Sequence, residues 1–304
     1  MKTRGFDAGR RRVIAGGAAL ALGVAGLNSR AAHALTTTNG GAPRRVIAIG
    51  GALAEIVFAL DKSATLVATD TSCTYPIAAQ KLPKVGYQRT LSAEGVLSMR
   101  PDLILASAEA GPPGVMQQIA QTGVEVVSFS EKHDVDSLRQ KIDGIARELG
   151  AVDAGASLRK RVDADWQQAM KDVAASSLAS RAQPLRVLFL LNPSGSQPMV
   201  AGQHTAADAM IAYAGATNAI QGFGGYRTLS PEALITAAPD VVMTTDDTLA
   251  VSGGAAAILR APGFASTPAG KHARLVSLDT LLLLGFGPRL PAAVTALNRQ
   301  LVAA

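Results

Sequence analysis

A nine-residue phrase in the first half, Gly86-Tyr87-Gln88-Arg89-Thr90-Leu91-Ser92-Ala93-Glu94, returns in the second half as Gly225-Tyr226-Arg227-Thr228-Leu229-Ser230-Pro231-Glu232. Each copy leads into a short helix-like stretch and then a Pro-Asp step before an apolar strand, Pro101-Asp102-Leu103-Ile104-Leu105 and Pro239-Asp240-Val241-Val242-Met243. Two copies this far apart signal pseudo-symmetry between two lobes, not the close-spaced repeat of a solenoid. A ligand is then expected in the cleft that the lobes share. The competing explanation is that Leu-Ser-Xaa-Glu only caps a helix in each copy. Capping accounts for the Ser and Glu but not for the repeated Gly-Tyr with a nearby Arg.

Apolar runs followed by helical periodicity set the fold class. Arg45 to Gly50 and then Ala52 to Leu60 read as a strand, a glycine turn and a helix. Leu66–Ala68, Leu103–Ala106 and Val124–Phe129 continue the alternation. From Asp134 to Arg181 the chain becomes charged and helix-favouring, and Gly150 is expected to divide it into two helices. The second, about Asp153 to Ser177, contains no proline and predicts a stiff strut some 35 Å long at ~1.5 Å per residue. Trp166 on it is expected to pack. A second α/β run starts at Arg186, with Asn192-Pro193-Ser194-Gly195-Ser196 as a turn, Thr205 as an N-cap, strands at Val241–Thr244 and Arg274–Ser277, and a closing helix at Pro291–Val302. The expected architecture is two Rossmann-like α/β lobes connected by a single long α-helix, with residues 35–150 and 183–304 as the lobes and 151–182 as the link.

Residues 1–34 have the pattern of an export signal: Lys2, Arg4, Arg10, Arg11 and Arg12, an apolar middle from Val13 to Leu27, and Ala32-His33-Ala34. Arg11-Arg12 suits a twin-arginine route as well as an ordinary secretory one. The leader holds six of the 29 Lys and Arg and one of the 23 Asp and Glu, so the rest carries 23 against 22, a balance of +1. The basic pI is mostly the leader's, and nothing argues for nucleic acid as a partner. Cys73 is the single cysteine, which excludes an internal disulfide and leaves stability to core burial. A soluble monomer in the periplasm is expected.

Enzyme motifs are missing: no Gly-Xaa-Xaa-Xaa-Xaa-Gly-Lys loop, no Gly-Xaa-Ser-Xaa-Gly elbow and no His-Glu-Xaa-Xaa-His. Of the histidines beyond the leader, His133, His204 and His272 show no zinc-ligand spacing. His204 precedes a helix start and is expected on a loop. Tyr87 is a stronger ligand candidate, because a phenolate is a hard oxygen donor suited to ferric iron. Free tyrosine has a pKa of about 10, and both a metal and a guanidinium favour the charged form. Arg89 would share a side with Tyr87 if the chain is extended there.

Asp70 to Pro76, Leu82-Pro83-Lys84-Val85-Gly86-Tyr87-Gln88-Arg89 through Ser98, Pro198 to Met210 and Gly285-Phe286-Gly287-Pro288-Arg289 together resemble the haem-binding periplasmic proteins of ABC haem importers, over essentially the whole chain after the leader. The resemblance implies haem, as ferric protoporphyrin IX, held between the lobes by Tyr87, with Arg89 hydrogen-bonded to it. Tyr226, Arg227 and Arg289 are further cleft candidates. Some relatives add a histidine in a turn that corresponds to Asn192–Gly195. None stands there, His204 being the nearest in sequence, so five-coordinate iron on Tyr87 is expected. Glu94 and Glu232 match the two surface glutamates with which the family docks on its permease, which works with an ATPase in the inner membrane. Non-enzymatic haem capture for iron acquisition is the leading function. A cobalamin or ferric-siderophore receptor of the same fold, and a periplasmic haem enzyme, are the alternatives.

Overall fold

The structure, a computed structural model, describes residues 44–192 and 197–304. The expected signal at 1–34 and the centre of the expected turn at 193–196 lie outside the described residues.

The first α/β unit runs β1 (Val46–Ile49), α1 (Gly51–Ala59), β2 (Leu66–Thr69), α2 (Ile77–Gln80), α3 (Ala93–Ser98), β3 (Leu103–Ser107), α4 (Pro113–Gln121), β4 (Glu125–Phe129) and α5 (Val135–Glu148). Its four strands are parallel in the order β2-β1-β3-β4. Central strands of a parallel sheet are covered on both faces, which is why β1 is apolar throughout and β3 from Leu103 to Ala106, with every residue of both strands buried. At the edge, β4 exposes Glu125 and Ser128. Gly50 makes the turn into α1 at φ 126°, a conformation a side chain would strain.

Gly150, at φ 58°, separates α5 from α6 (Val152–Ala175), as the glycine in a polar tract suggested. The 24 residues of α6 make it about 36 Å long. It starts and ends slightly earlier than expected, because Ser176 at ψ 159° has left the helical region. Where α6 crosses α5 the two backbones approach closely: a β-carbon on Gly155 would lie 2.4 Å from that of Ala146. Trp166 meets the ring of Tyr213 edge-on at 4.8 Å, a packing role.

The second unit comprises β5 (Arg186–Asn192), β6 (Met199–Ala201), α7 (Ala206–Tyr213), β7 (Thr217–Asn218), β8 (Tyr226–Thr228), α8 (Pro231–Ala237), β9 (Val241–Thr245), α9 (Asp246–Val251), α10 (Ala255–Arg260), α11 (Pro268–Lys271), β10 (Leu275–Leu278), α12 (Thr280–Leu284) and α13 (Leu290–Ala303). Its sheet has the order β10-β9-β5-β6-β8, with β7 also on β5. The β10, β9, β5 and β7 pairings are parallel, whereas β6 and β8 run antiparallel. Alternation alone did not anticipate that ribbon. The link from β5 to β6 is too short for a parallel crossover, which needs a dozen residues or more, so the chain doubles back. Met199–Ala201, just before the loop that carries His204, is therefore a strand.

One apolar cluster joins α1, α5 and α6 to α13, β5 and β9. The long helix is clamped between α5 and α13 and is not a free linker. Among the described residues no helix is long and apolar enough to cross a membrane.

Candidate functional site

Strand order in the first sheet reverses between β1 and β3, and loops leaving the carboxyl ends of such strands diverge there to form a crevice. Tyr87 and Arg89 lie beside it, in the segment between α2 and α3 that follows the neighbouring strand β2. The segment after β2 is pinned at its root by Asp70, fully buried, whose carboxylate accepts hydrogen bonds from the Gly50 amide at 2.8 Å and the Ser72 amide at 2.9 Å. Cys73 donates its thiol to the same carboxylate at 3.0 Å, and burial, then Asp70, pushes that thiol far up, so it is an inert packing group. Further out, the Thr71 amide donates to Gly86 at 2.9 Å and the Thr90 amide to Tyr87 at 2.9 Å, closing a turn.

That turn carries the central contact. Arg89 Nη1 donates to Tyr87 Oη at 2.8 Å. An extended strand was the geometry expected to bring the pair together, yet the chain turns at Gln88 and Arg89 and the long Arg stem reaches back. Tyr87 stays 42% exposed, so its oxygen is open to a ligand. The other edge of the guanidinium, Nη2, is ion-paired with Glu109 on the loop after β3. Burial works against the Arg89 charge, but Glu109 and then Tyr87 more than offset it, and its pKa ends above the ordinary arginine value.

From the second unit, Tyr226 on edge strand β8 faces the same cluster. Burial pushes its phenol up, the Arg89 charge draws it down, Glu109 pushes it up and the Thr205 hydroxyl draws it down, and the net is a neutral phenol above its ordinary value. Arg89 thus hydrogen-bonds one tyrosine of the repeated phrase and acts electrostatically on the other. The two belong to different local structures: Tyr87 is in a loop and Tyr226 in a strand. Arg227, the next strand residue, points to the opposite face and lies over the Phe223 ring at 5.0 Å. The structure thus does not bring Arg227 to Tyr226. His204 is in a loop, as expected, at φ 60°, with its amide on Asp208 at 2.9 Å, next to the Thr205 that caps α7.

A second group lies where the chain recrosses between the units. Arg289, at the start of α13, donates to both carboxylate oxygens of Glu55 in α1 at 3.0 Å each. Its guanidinium also lies 3.6 Å from the centroid of the Tyr75 ring. Phe286 packs on His133 at 5.2 Å. Burial lowers the His133 pKa, with Glu131 and Glu109 drawing it up and Lys141 pushing it down. Glu109, Glu55 and His133 were not recognised in the sequence as neighbours of these groups. Each is brought in by a loop or helix distant in the chain, and no spacing rule connects them. Among the described residues, no three His, Cys, Asp or Glu side chains cluster to hold a metal ion.

Glu94 and Glu232 occupy equivalent positions, each in the first turn of a short helix, α3 and α8, and each exposed. Ser92 and Ser230 are the N-caps, accepting from the amides of Gly95 at 3.0 Å and Ala233 at 3.3 Å. Capping thus belongs to the serines. A hydrogen bond from its own backbone amide, and then one from Ser230, draw the Glu232 carboxyl below its ordinary value, and both glutamates stay exposed, one on each sheet unit.

The family model described as periplasmic binding protein matches residues 46–281. The solved periplasmic heme-binding protein BhuT, in complex with two hemes, is 60% identical and superposes with a TM-score of 0.82, covering 86% of this chain and 98% of its own. The apo periplasmic heme-binding protein RhuT from Roseiflexus sp. RS-1 is 39% identical, with a TM-score of 0.80 over 86% of this chain and 99% of its own. The vitamin B12-binding protein of Pectobacterium carotovorum subsp. carotovorum is 27% identical over 177 residues, 58% of this chain and 61% of that one.

Proposed function

The chain belongs to the periplasmic binding protein family, and from that premise we propose that it is the haem-capturing receptor of an ABC importer. Ferric haem is its cargo, taken up between the two sheet units and delivered to a permease and ATPase in the inner membrane. The observation that carries this reading is the hydrogen bond of 2.8 Å from Arg89 to Tyr87 in the segment after β2, beside the switch point. Tyr87 offers ferric iron a hard oxygen donor, and the guanidinium hydrogen-bonded to that oxygen fixes where it points. Tyr226 closes the same crevice from the opposite side. The 60% identity to a heme-binding structure supports the same cargo.

In this reading Tyr87 supplies the iron ligand, Arg89 orients and polarises it, Tyr75 and Tyr226 provide aromatic surface to the porphyrin, and Glu94 and Glu232 engage the permease. His204, exposed on a loop before α7, is a reserve second-side ligand. Iron chemistry is confined to ligation: the protein binds and releases its cargo unchanged. Export by the leader at 1–34, a soluble monomeric product in the periplasm, and lobes at 35–150 and 183–304 joined through 151–182 complete the proposal.

Titrating the purified protein with ferric haem tests it directly. A Soret change that saturates at a whole number of equivalents, with a ferric–phenolate charge-transfer band, is the expected result. The vitamin B12-binding relative gives the competing reading, so the same titration is run with cobalamin. Saturation by cobalamin and none by haem would overturn the haem assignment.

A further inference from the structure

Arg89 has a long flexible stem, and an arginine beside a cleft would ordinarily swing toward any carboxylate that enters. Immobilising such a side chain costs up to about 2 kcal/mol of rotamer entropy. Something must therefore hold it on Tyr87, and the structure contains that restraint. Glu109 is ion-paired to Nη2, leaving Nη1 aimed at the Tyr87 oxygen.

Glu109 is itself well placed to act. Its amide donates to Ser107 Oγ at 3.0 Å, and the Ala108 amide donates to Phe129 at 2.8 Å. The loop that bears it is stitched to the Tyr87 loop by two backbone hydrogen bonds, Gly111 to Gln88 at 2.8 Å and Leu91 to Gly111 at 2.9 Å. Carboxylate and guanidinium thus sit on two loops whose separation is fixed by backbone. The pair is 52% and 42% exposed, and ion pairs in such settings add little to stability. Its effect is on geometry and charge. Glu109 occupies the edge of the guanidinium that would otherwise salt-bridge a carboxylate of the cargo, and its own charge discourages one from approaching.

We infer that Glu109 is a positioning residue for iron ligation: it reserves Arg89 for the oxygen of Tyr87 and denies it to the carboxylates of the bound porphyrin. The inference rests on the haem reading above and deepens it.

A double-mutant cycle tests it on the full protein loaded with ferric haem. Glu109→Ala should shift the charge-transfer band and the reduction potential in the same direction as Arg89→Ala. Each should weaken binding by no more than the ten- to hundredfold expected for a charge-assisted hydrogen bond. Adding Glu109→Ala to Arg89→Ala should change neither readout further. Glu109→Gln, which keeps an acceptor but no charge, should fall between wild type and Glu109→Ala, and it carries the comparison alone if the alanine variant does not fold. Effects that add, or a wild-type band in Glu109→Gln and Glu109→Ala alike, overturn the inference. A wild-type protein with no haem-dependent band would instead sink the haem reading itself, so the two failures are distinguishable.

Discussion

Arg289 grips both carboxylate oxygens of Glu55, a residue 234 positions earlier in the chain, and so ties the start of the last helix to the first helix of the opposite unit. The Glu55 side chain is 6% exposed and that of Arg289 25%. The Arg289 amide adds a third hydrogen bond, at 3.2 Å. A carboxylate buried this deeply is tolerated only because its charge and lone pairs are met.

Removing one partner should therefore cost more than removing both. Arg289→Ala strands the Glu55 charge and is expected to lower the unfolding free energy by about 3 kcal/mol. Combining it with Glu55→Gln should recover part of that loss. Urea denaturation of the three variants measures this, and an unchanged midpoint in Arg289→Ala would mean that the latch contributes nothing.

The same pair predicts a pH dependence. Burial raises the Glu55 pKa above 4.5, and the hydrogen bonds and charge of Arg289 only partly reverse this. The folded state therefore binds this proton more tightly than the unfolded state. The resulting stability is fully present below 4.5 and is lost as pH rises through the raised value. Glu55→Gln should remove that component. In Arg289→Ala, where the opposing influences are gone, the decline should extend to higher pH. Urea midpoints collected across the acidic range give the comparison.

Tyr87→Phe retains the ring and deletes only the oxygen. The protein should fold as stably as before, while the ferric–phenolate band disappears. Haem will still partition into an apolar crevice, so affinity is the poorer reporter. Persistence of the band would transfer ligation to Tyr226, Tyr75 or His204.

Glu94 and Glu232 are exposed, so charge reversal at both should not disturb cargo binding. Transport into cells or proteoliposomes should fall, because exposed charges act on association rate and register. Loss of haem binding in the double variant would assign these residues to folding instead.

Clamping of α6 between α5 and α13 within one apolar cluster should restrict opening and closing of the units. Small-angle scattering of the apo and haem-loaded protein should nearly superimpose. A marked contraction on loading would refute the stiff strut.

Much of the fold was legible because it is encoded locally. Continuous apolar runs gave β1, β3, β5 and β9, Gly150 gave the break between α5 and α6, and Thr205 gave the cap of α7. The repeated phrase marked the two tyrosines, the two capping serines and the two exposed glutamates. The antiparallel β6–β8 ribbon escaped because strands of three residues carry too little periodicity to register.

The amino-acid sequence by itself determined the α/β alternation, the long helix and the identity of Tyr87 and Arg89 as neighbours, since all of these rest on residues close together in the chain. Only the tertiary structure decided what surrounds them. Glu109 on Arg89, Tyr226 facing that pair, Arg289 on Glu55 and Tyr75, and the turning of Arg227 away to Phe223 depend on loops and strands that the sheet topology brings together. An ion pair or a ring contact leaves no periodic trace in sequence. Its partners are chosen by where the backbone places them, and that placement follows from packing the whole core.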